Sequence, residues 1–464
     1  MKTLFVYTDI NVRGGAQSFQ FGIAMVSAML KRAGHDTRLH YMFGTYDIAP
    51  LNEAIKEYDP DIIALSCVSP QYPYVKMVLN DMMEHRAFTI LGGHHATLVP
   101  SCLEENPRLD SICIGEGEDP MLEMVNAKAA GQPIDAIQNL CIRQPDGSIK
   151  SNPTRCFTSD LNDLPFADWD MFDAQSIIDS DFKTALFMFS RGCPYKCTFC
   201  ANHALREQQD GTYVRFRSVD SCLQEIRDVV GTYNVEALYF NDDCFTCRKS
   251  FLDEFCERYK AEFDFPFDIN ARPETLSDEN CRQLKEAGCR RVSIGVECGD
   301  ETFRGEVLGR KHSNDRIVQA FESCRKAGLK TKSFNIVGFP HETPEIFQET
   351  VKLNQRINPD SAIIGIFEPY PGTKLGNLCH EEGLINPERA NELFVGRTDT
   401  ILDMPQFPRE QILQCFRTFA YQVYRPHSLK KALMLRVYYS RYGQVLLKII
   451  EPFKNLLRKA TMGV

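Results

Sequence analysis

The stretch Arg191-Gly192-Cys193-Pro194-Tyr195-Lys196-Cys197-Thr198-Phe199-Cys200 carries three cysteines in Cys-x-x-x-Cys-x-x-Cys spacing. It follows an apolar run, 184–190, that predicts a strand, so the thiols fall on a strand-to-helix loop. With cysteine at ~4%, a chain of this length should hold this spaced triple ~0.03 times by chance, but some Cys-x-x-Cys pair ~0.7 times. The triple is therefore a signal, and Cys244-Phe245-Thr246-Cys247 by itself is not. Three thiolates on so short a loop can wrap three corners of an iron–sulfur cube, which leaves the fourth iron to a non-protein ligand. Tetrahedral zinc is the structural alternative, but it wants a fourth Cys or His. The nearest histidine, His203, has no second ligand pair beside it.

From the strand that leads into the loop onward, strands are predicted at 184–190, 237–241, 267–271, 291–296, 331–337 and 362–367, with helices at 220–233, 249–263, 277–287, 315–327 and 344–357. Six strands joined by helical crossovers of one hand predict a partial barrel, whose chemistry collects at the carboxyl ends of the strands. Upstream, strands at 3–8, 37–41, 62–67, 88–91 and 111–114 alternate with helices at 17–33, 51–57, 72–85, 96–105 and 120–130. This predicts a doubly wound parallel sheet, with Gly34 ending its first helix. Gly92-Gly93 and Gly115-Glu116-Gly117 follow the last two strands, at the edge where such sheets bind ligands. A Pro-, Asp- and Asn-rich connector with the only tryptophan, Trp169, separates the two series. The expected organisation is 1–144 for the doubly wound domain, 145–182 for the connector, 183–375 for the barrel and 376–464 for a helical C-terminal region.

A chain of 464 residues, 43% apolar and 25% charged, has material for about three folded domains. The net charge of −9 argues against general affinity for nucleic acid. The opening MKTLFVYTDI is too short an apolar run for a signal peptide, and no run approaches the ~18 apolar residues of a membrane span. With 18 cysteines spread along the chain, reduced thiols in the cytoplasm are expected. From Arg425 onward there are nine Lys or Arg against one acid, Glu451, interleaved with apolar residues. This tail reads either as a basic helical pair packed on an acidic body, with Pro452 breaking the second helix, or as a surface for a membrane or a partner.

The cysteine triple, with the aromatic Phe199 before its last member, resembles the cluster motif of the radical S-adenosylmethionine superfamily. That resemblance implies a four-iron, four-sulfur cluster whose open iron chelates S-adenosylmethionine and cleaves it reductively to a 5′-deoxyadenosyl radical. It also implies a flavodoxin- or ferredoxin-type electron donor and a small-molecule or lipid-like substrate. Asn241-Asp242-Asp243 resembles the segment that holds the cofactor's amino group. Glu297 in IGVEC stands where polar groups hold its ribose or methionine portion, and Arg272 and Arg310 are candidates for its carboxylate, which suits a guanidinium fork. Ile336 and Gly338 in NIVGFPHET resemble the segment against which adenine packs, although Phe334 stands where the family pattern begins with Gly. Pro371-Gly372-Thr373 resembles the closing turn.

A doubly wound domain, then LNDLPFADWDMF, then the triple is similar to the layout of the cobalamin-binding branch of that superfamily. By this resemblance Ser66, Ser69, Gly92, Gly93, Gly115, Glu116 and Gly117 would line the corrinoid. The Asp-x-His-x-x-Gly motif that gives cobalt a histidine in many corrinoid proteins is absent near Asp9–Gly15, and His94 and His95 do not reproduce its spacing. The resemblance thus implies cobalamin held without a protein histidine on cobalt, with a domain that has lost cobalamin as the alternative. The expected reaction is methylation of an unactivated carbon or phosphorus centre. Radical cyclisation or rearrangement is the alternative within the family, and a non-catalytic iron–sulfur or corrinoid carrier the alternative outside it.

Overall fold

The computed structural model describes residues 1–10, 17–389 and 397–440. They divide into two compact units: Met1–Pro194 with Cys200–Val235 and Tyr370–Asn377, and Tyr195–Phe199 with Glu236–Pro369 and the described residues from Leu378 on.

The first unit is built on strands β1 (Lys2–Ile10), β2 (Asp36–Gly44), β3 (Ile62–Ser66), β4 (Phe88–Gly92), β5 (Ser111–Cys113), β6 (Leu140–Arg143) and β7 (Ile149–Ser151). They lie in the order β2-β1-β3-β4-β5-β6-β7. The strands from β1 to β5 pair in parallel, as their alternation with helices dictates. After Lys2 every residue of β1 is buried, as a strand covered by helices on both faces requires. Leu4, Val6, Ile63, Leu65, Leu91 and Ile112 form the heart of the core. The sheet then continues into an antiparallel hairpin, β6–β7, which the expectation of a purely parallel sheet lacked. Its turn is Asp146-Gly147, with Gly147 at φ 86°. The connector that follows is ordered by its apolar residues, since Phe157, Leu161, Leu164, Trp169 and Phe172 are all buried. Trp169 stacks on Phe19 with ring centroids 4.1 Å apart. This unit also holds β8 (Thr184–Phe187) and a short antiparallel pair, β9 (Ser190–Arg191) and β10 (Arg215–Phe216).

In the second unit β11 (Ala237–Phe240), β12 (Phe267–Ala271), β13 (Cys289–Glu297), β14 (Lys330–Val337) and β15 (Ser361–Ile366) pair consecutively and in parallel. All six predicted barrel strands, β8 included, form at the predicted positions, as do the five helices Val219–Thr232, Lys249–Glu262, Asp278–Glu286, Asn314–Lys326 and Pro344–Ile357. Four of those helices begin on Ser218, Ser277, Ser313 or Thr343, whose hydroxyl accepts a backbone N–H of the first turn. Such a cap satisfies a donor that the helix itself cannot and fixes where it starts. Phe240, Phe245, Phe255, Tyr259 and Phe267 pack as an aromatic core, each ring burying a large apolar area.

A C-terminal helix, Arg409–Tyr424, buries Ile412, Leu413, Phe419, Ala420 and Val423. The next, Leu429–Tyr438, buries Ala432 and Leu435 while Leu429, Leu433 and Val437 stay exposed. Lys431 ties this helix down by donating to the carbonyl of Asp360 at 2.7 Å. The remainder of the basic tail, Pro452 included, lies outside the described residues. No described helix is long and apolar enough to cross a membrane.

Candidate cluster and cofactor sites

The cysteine loop leaves β9 through Gly192, which sits at φ 81°; a Cβ there would fall 2.5 Å from the carbonyl oxygen of Tyr213. Only glycine fits this turn. Cys193 and Cys200 are half-buried and Cys197 is buried. The middle of the loop is pinned by Thr198, whose N–H donates to Leu308 O at 3.2 Å and whose hydroxyl donates to Val307 O at 2.7 Å. Phe199 packs on Phe339, ring centroids 5.6 Å apart. Among the described residues no ready-made group of three His, Cys, Asp or Glu side chains surrounds a metal position. What the fold supplies is the loop and its surroundings.

Those surroundings are cationic at Cys197. Arg272, at the carboxyl end of β12, donates from Nη1 to Cys197 Sγ at 3.0 Å, and Nη1 of Arg310 reaches the same sulfur at 3.8 Å. Arg272 also lies 3.7 Å over the ring of Tyr195 and makes a two-pronged ion pair with Glu274, 3.2 and 2.7 Å. Glu274 in turn meets His312 Nδ1 at 3.0 Å. Burial alone would push the Glu274 carboxyl up, but hydrogen bonds from His312 and Arg272 hold it well below the usual range. Guanidinium groups on a sulfur that carries negative charge as a metal ligand are an electrostatically sound second layer. The donor set thus fits a thiolate-bound cluster. Arg272, expected at the carboxylate of the cofactor, thus also contacts the middle cysteine of the loop. His203, the nearest histidine for a zinc site, instead accepts the backbone N–H of Lys374 on Nε2 at 3.1 Å.

The other strand-end residues are placed as follows. Asp242 is buried and Asp243 exposed, and the backbone carbonyl of Asp242 accepts from Asn270 Nδ2 at 3.2 Å. Glu297 closes β13 at φ 66°, where the register with β14 shifts between Gly295 and Glu297. Burial pushes its carboxyl up, against the pull of Arg310, Arg397 and Arg272, and Arg310 stands 3.8 Å away. Ile336 is buried. Gly338 sits at φ 85°, and a Cβ there would meet Ile412 Cγ2 at 3.2 Å, so the close neighbour of this glycine is the C-terminal helix. Its N–H and that of Phe339 donate to Glu342 Oε2 at 2.6 and 3.1 Å. Burial nevertheless pushes Glu342 up to about 8. In the first unit Thr373 closes its turn by donating to Tyr370 O at 2.7 Å.

In the doubly wound domain Gly93 sits at φ 89°, where a Cβ would meet Cys67 O at 2.6 Å and Ser66 Oγ at 3.0 Å. Ser69 Oγ pairs with His95 Nδ1 at 3.1 Å. His95 stacks on Tyr72 at 3.8 Å, and burial, helped by Lys76, lowers its pKa to about 4. Gly115 abuts the side chain of Gln209, and Gly117 has Val26 Cγ2 3.7 Å from where a Cβ would stand. Glu116 is taken up by arginines: Arg215 grips it at 3.0 and 2.6 Å and Arg191 at 3.1 Å. Burial would raise its pKa, but these partners bring it down to about 2. Sequence reasoning did not single out Glu274, His312 or Glu342. The first is two residues beyond Arg272 in Arg-Pro-Glu, His312 is two residues beyond Arg310, and Glu342 stands in the NIVGFPHET segment.

Residues 187–353 match the Radical SAM superfamily and residues 8–125 match the B12 binding domain. The chain is 26% identical over 444 residues to an uncharacterized methyltransferase of Pyrococcus horikoshii, covering 94% of this chain and 93% of that one. It is also 26% identical over 391 residues to the anaerobic magnesium-protoporphyrin IX monomethyl ester cyclase of Rubrivivax gelatinosus, 81% of this chain and 69% of that one. Among solved structures it shares the fold of the radical S-adenosylmethionine methyltransferase TsrM from Kitasatospora setae, with a TM-score of 0.65 at 16% identity over 82% of this chain and 75% of that one. Fold and cysteine loop together define a radical S-adenosylmethionine enzyme. The chain belongs to the branch of that superfamily that carries a cobalamin-binding domain.

Proposed function

We propose that the protein is a cobalamin-dependent methyltransferase acting on an unactivated carbon or phosphorus centre of a small or lipid-like molecule. The observation that carries this reading is the pairing, in one chain, of a doubly wound B12-binding domain with a barrel whose cysteine loop is met by two guanidinium groups. When bound, the cluster and S-adenosylmethionine would supply a radical that takes a substrate hydrogen, and methylcobalamin the methyl group that replaces it. Cys193, Cys197 and Cys200 are assigned as the cluster ligands, with Arg272 and Arg310 holding charge against Cys197. Asp242, Asp243, Glu297, Ile336 and Gly338 are assigned to the S-adenosylmethionine side, and Ser66, Ser69, Gly92 and Gly93 to the corrinoid side. Glu116 is assigned instead to holding Arg191 and Arg215.

Residues 1–144 would form the corrinoid domain, 145–182 the connector, 183–375 the barrel and 376–464 the C-terminal region. A flavodoxin- or ferredoxin-type donor would supply electrons in the cytoplasm, where eighteen cysteines without a disulfide are at home. The exposed Leu429, Leu433 and Val437, flanked by Lys430 and Arg436, support peripheral membrane contact.

The test is anaerobic turnover with S-adenosylmethionine labelled in its methyl group. Methylation consumes two S-adenosylmethionine molecules per labelled product and yields 5′-deoxyadenosine and S-adenosylhomocysteine in equal amounts. Unlabelled product accompanied by 5′-deoxyadenosine alone would instead establish cyclisation, the reading that the cyclase relative favours.

A further inference from the structure

Arg272 is held on three sides. Glu274 takes Nε and Nη2 at 3.2 and 2.7 Å, Tyr195 of the cysteine loop lies under the guanidinium at 3.7 Å, and Nη1 is left for Cys197 Sγ at 3.0 Å. Its side chain is only 8% exposed, so the contact to sulfur is made with little water to screen it. Glu274 is fixed from behind by His312 Nδ1 at 3.0 Å. A guanidinium with all three of its nitrogens committed is poorly placed to serve as a carboxylate clamp as well.

We infer that Arg272 and Glu274 act as an opposed charge pair that sets the reduction potential of the cluster bound at Cys197. The inference rests on the assignment of Cys193, Cys197 and Cys200 as cluster ligands and adds a task for two residues outside that set. Reduction adds one negative charge to the cluster. A cation donating to a ligand sulfur stabilises the reduced form, and an anion behind that cation offsets part of its field. His312, whose own pKa burial lowers below the usual histidine value, then serves as a neutral donor that holds Glu274 in place. Tyr195 keeps the guanidinium plane facing the loop, as its π-face favours.

The two partners therefore have opposite signs, which separates charge tuning from loss of structure. In reconstituted holoenzyme, titrated potentiometrically with the reduced cluster followed by electron paramagnetic resonance, Arg272→Gln should move the midpoint to more negative potential. The expected change is at least tenfold in the reduction equilibrium, which for a one-electron couple is 59 mV. Glu274→Gln keeps an oxygen acceptor for Arg272 but removes the negative charge, so the midpoint should move the other way. Arg272→Lys should fall between Arg272→Gln and wild type. If the two Gln variants hold full cluster iron and their midpoints stay at the wild-type value or shift in the same direction, the inference is overturned while the cluster assignment stands. Should Arg272→Gln hold no cluster, Glu274→Gln decides alone, and an unmoved or more negative midpoint overturns the proposal. A wild-type protein that binds no reducible cluster overturns both.

Discussion

Two groups of arginine, one in each unit, use the same side chain differently. In the first unit Arg191 and Arg215 converge on Glu116, and Arg191 also binds Glu118, so two cations meet two carboxylates and the charge closes on itself. In the second, Arg272 and Arg310 converge on the sulfur of Cys197, with Glu274 and Glu297 behind them. In the first group the guanidinium groups meet carboxylates, while in the second each also turns a nitrogen to a sulfur. The first therefore has the makings of a structural rivet, and the second of a site whose positive charge faces a guest.

The sharpest way to break this contrast is Cys197→Ala, which should abolish S-adenosylmethionine cleavage, a loss of at least about a thousandfold on the scale typical of essential catalytic groups, together with most cluster iron. Retention of both in anaerobic assays would remove the second group's claim to a guest. On the other side, Arg215→Ala should leave cleavage chemistry without a missing part but destabilise the first unit by about 3–5 kcal/mol, the usual cost of stranding a buried charge. Chemical denaturation would read this directly.

The pH dependence sharpens the same point. Glu116 has its pKa depressed to about 2, so the stability it contributes is present above the unfolded carboxylate pKa of about 4.3 and is lost as pH falls toward 2, about 3 kcal/mol in all. Glu116→Gln should flatten the acid limb of the stability curve. Glu342 runs the opposite way. With its pKa raised to about 8, its contribution is intact below the unfolded value and declines as pH rises to 8. Glu342→Gln should therefore match wild type near pH 4 and melt at a higher temperature than wild type at pH 8. The smallest effect expected is at Cys244. Cys244→Ala should leave cluster iron at four per chain, because a Cys-x-x-Cys pair of chance frequency needs no second cluster.

The barrel was legible because its elements announce themselves locally: an apolar run, then helical periodicity, with a Ser or Thr cap on four of the five helices. The β6–β7 hairpin was not, since strands of four and three residues are too short to show a period; its Asp-Gly turn was the available signal. The cysteine spacing could be read because the loop is contiguous. The partners of its residues could not, for Arg272 and Cys197 are 75 positions apart and Glu116 and Arg215 are 99 apart. Pattern alone could not show that two arginines meet the carboxylate of Glu116. The approach of Ile412 to Gly338 was out of reach in the same way, since its helix starts 71 residues later.

The lone tryptophan of the chain gives the first unit an optical signature of its own. Trp169 is stacked on Phe19 and also borders Phe187 and Tyr233, so its emission is set by an apolar, ring-lined environment. Excited at the red edge of its absorption, the protein should report the melting of that unit alone, while the second unit, rich in Phe and Tyr, stays dark. Fluorescence and circular dichroism followed on one sample would then show whether the two units come apart together or in turn.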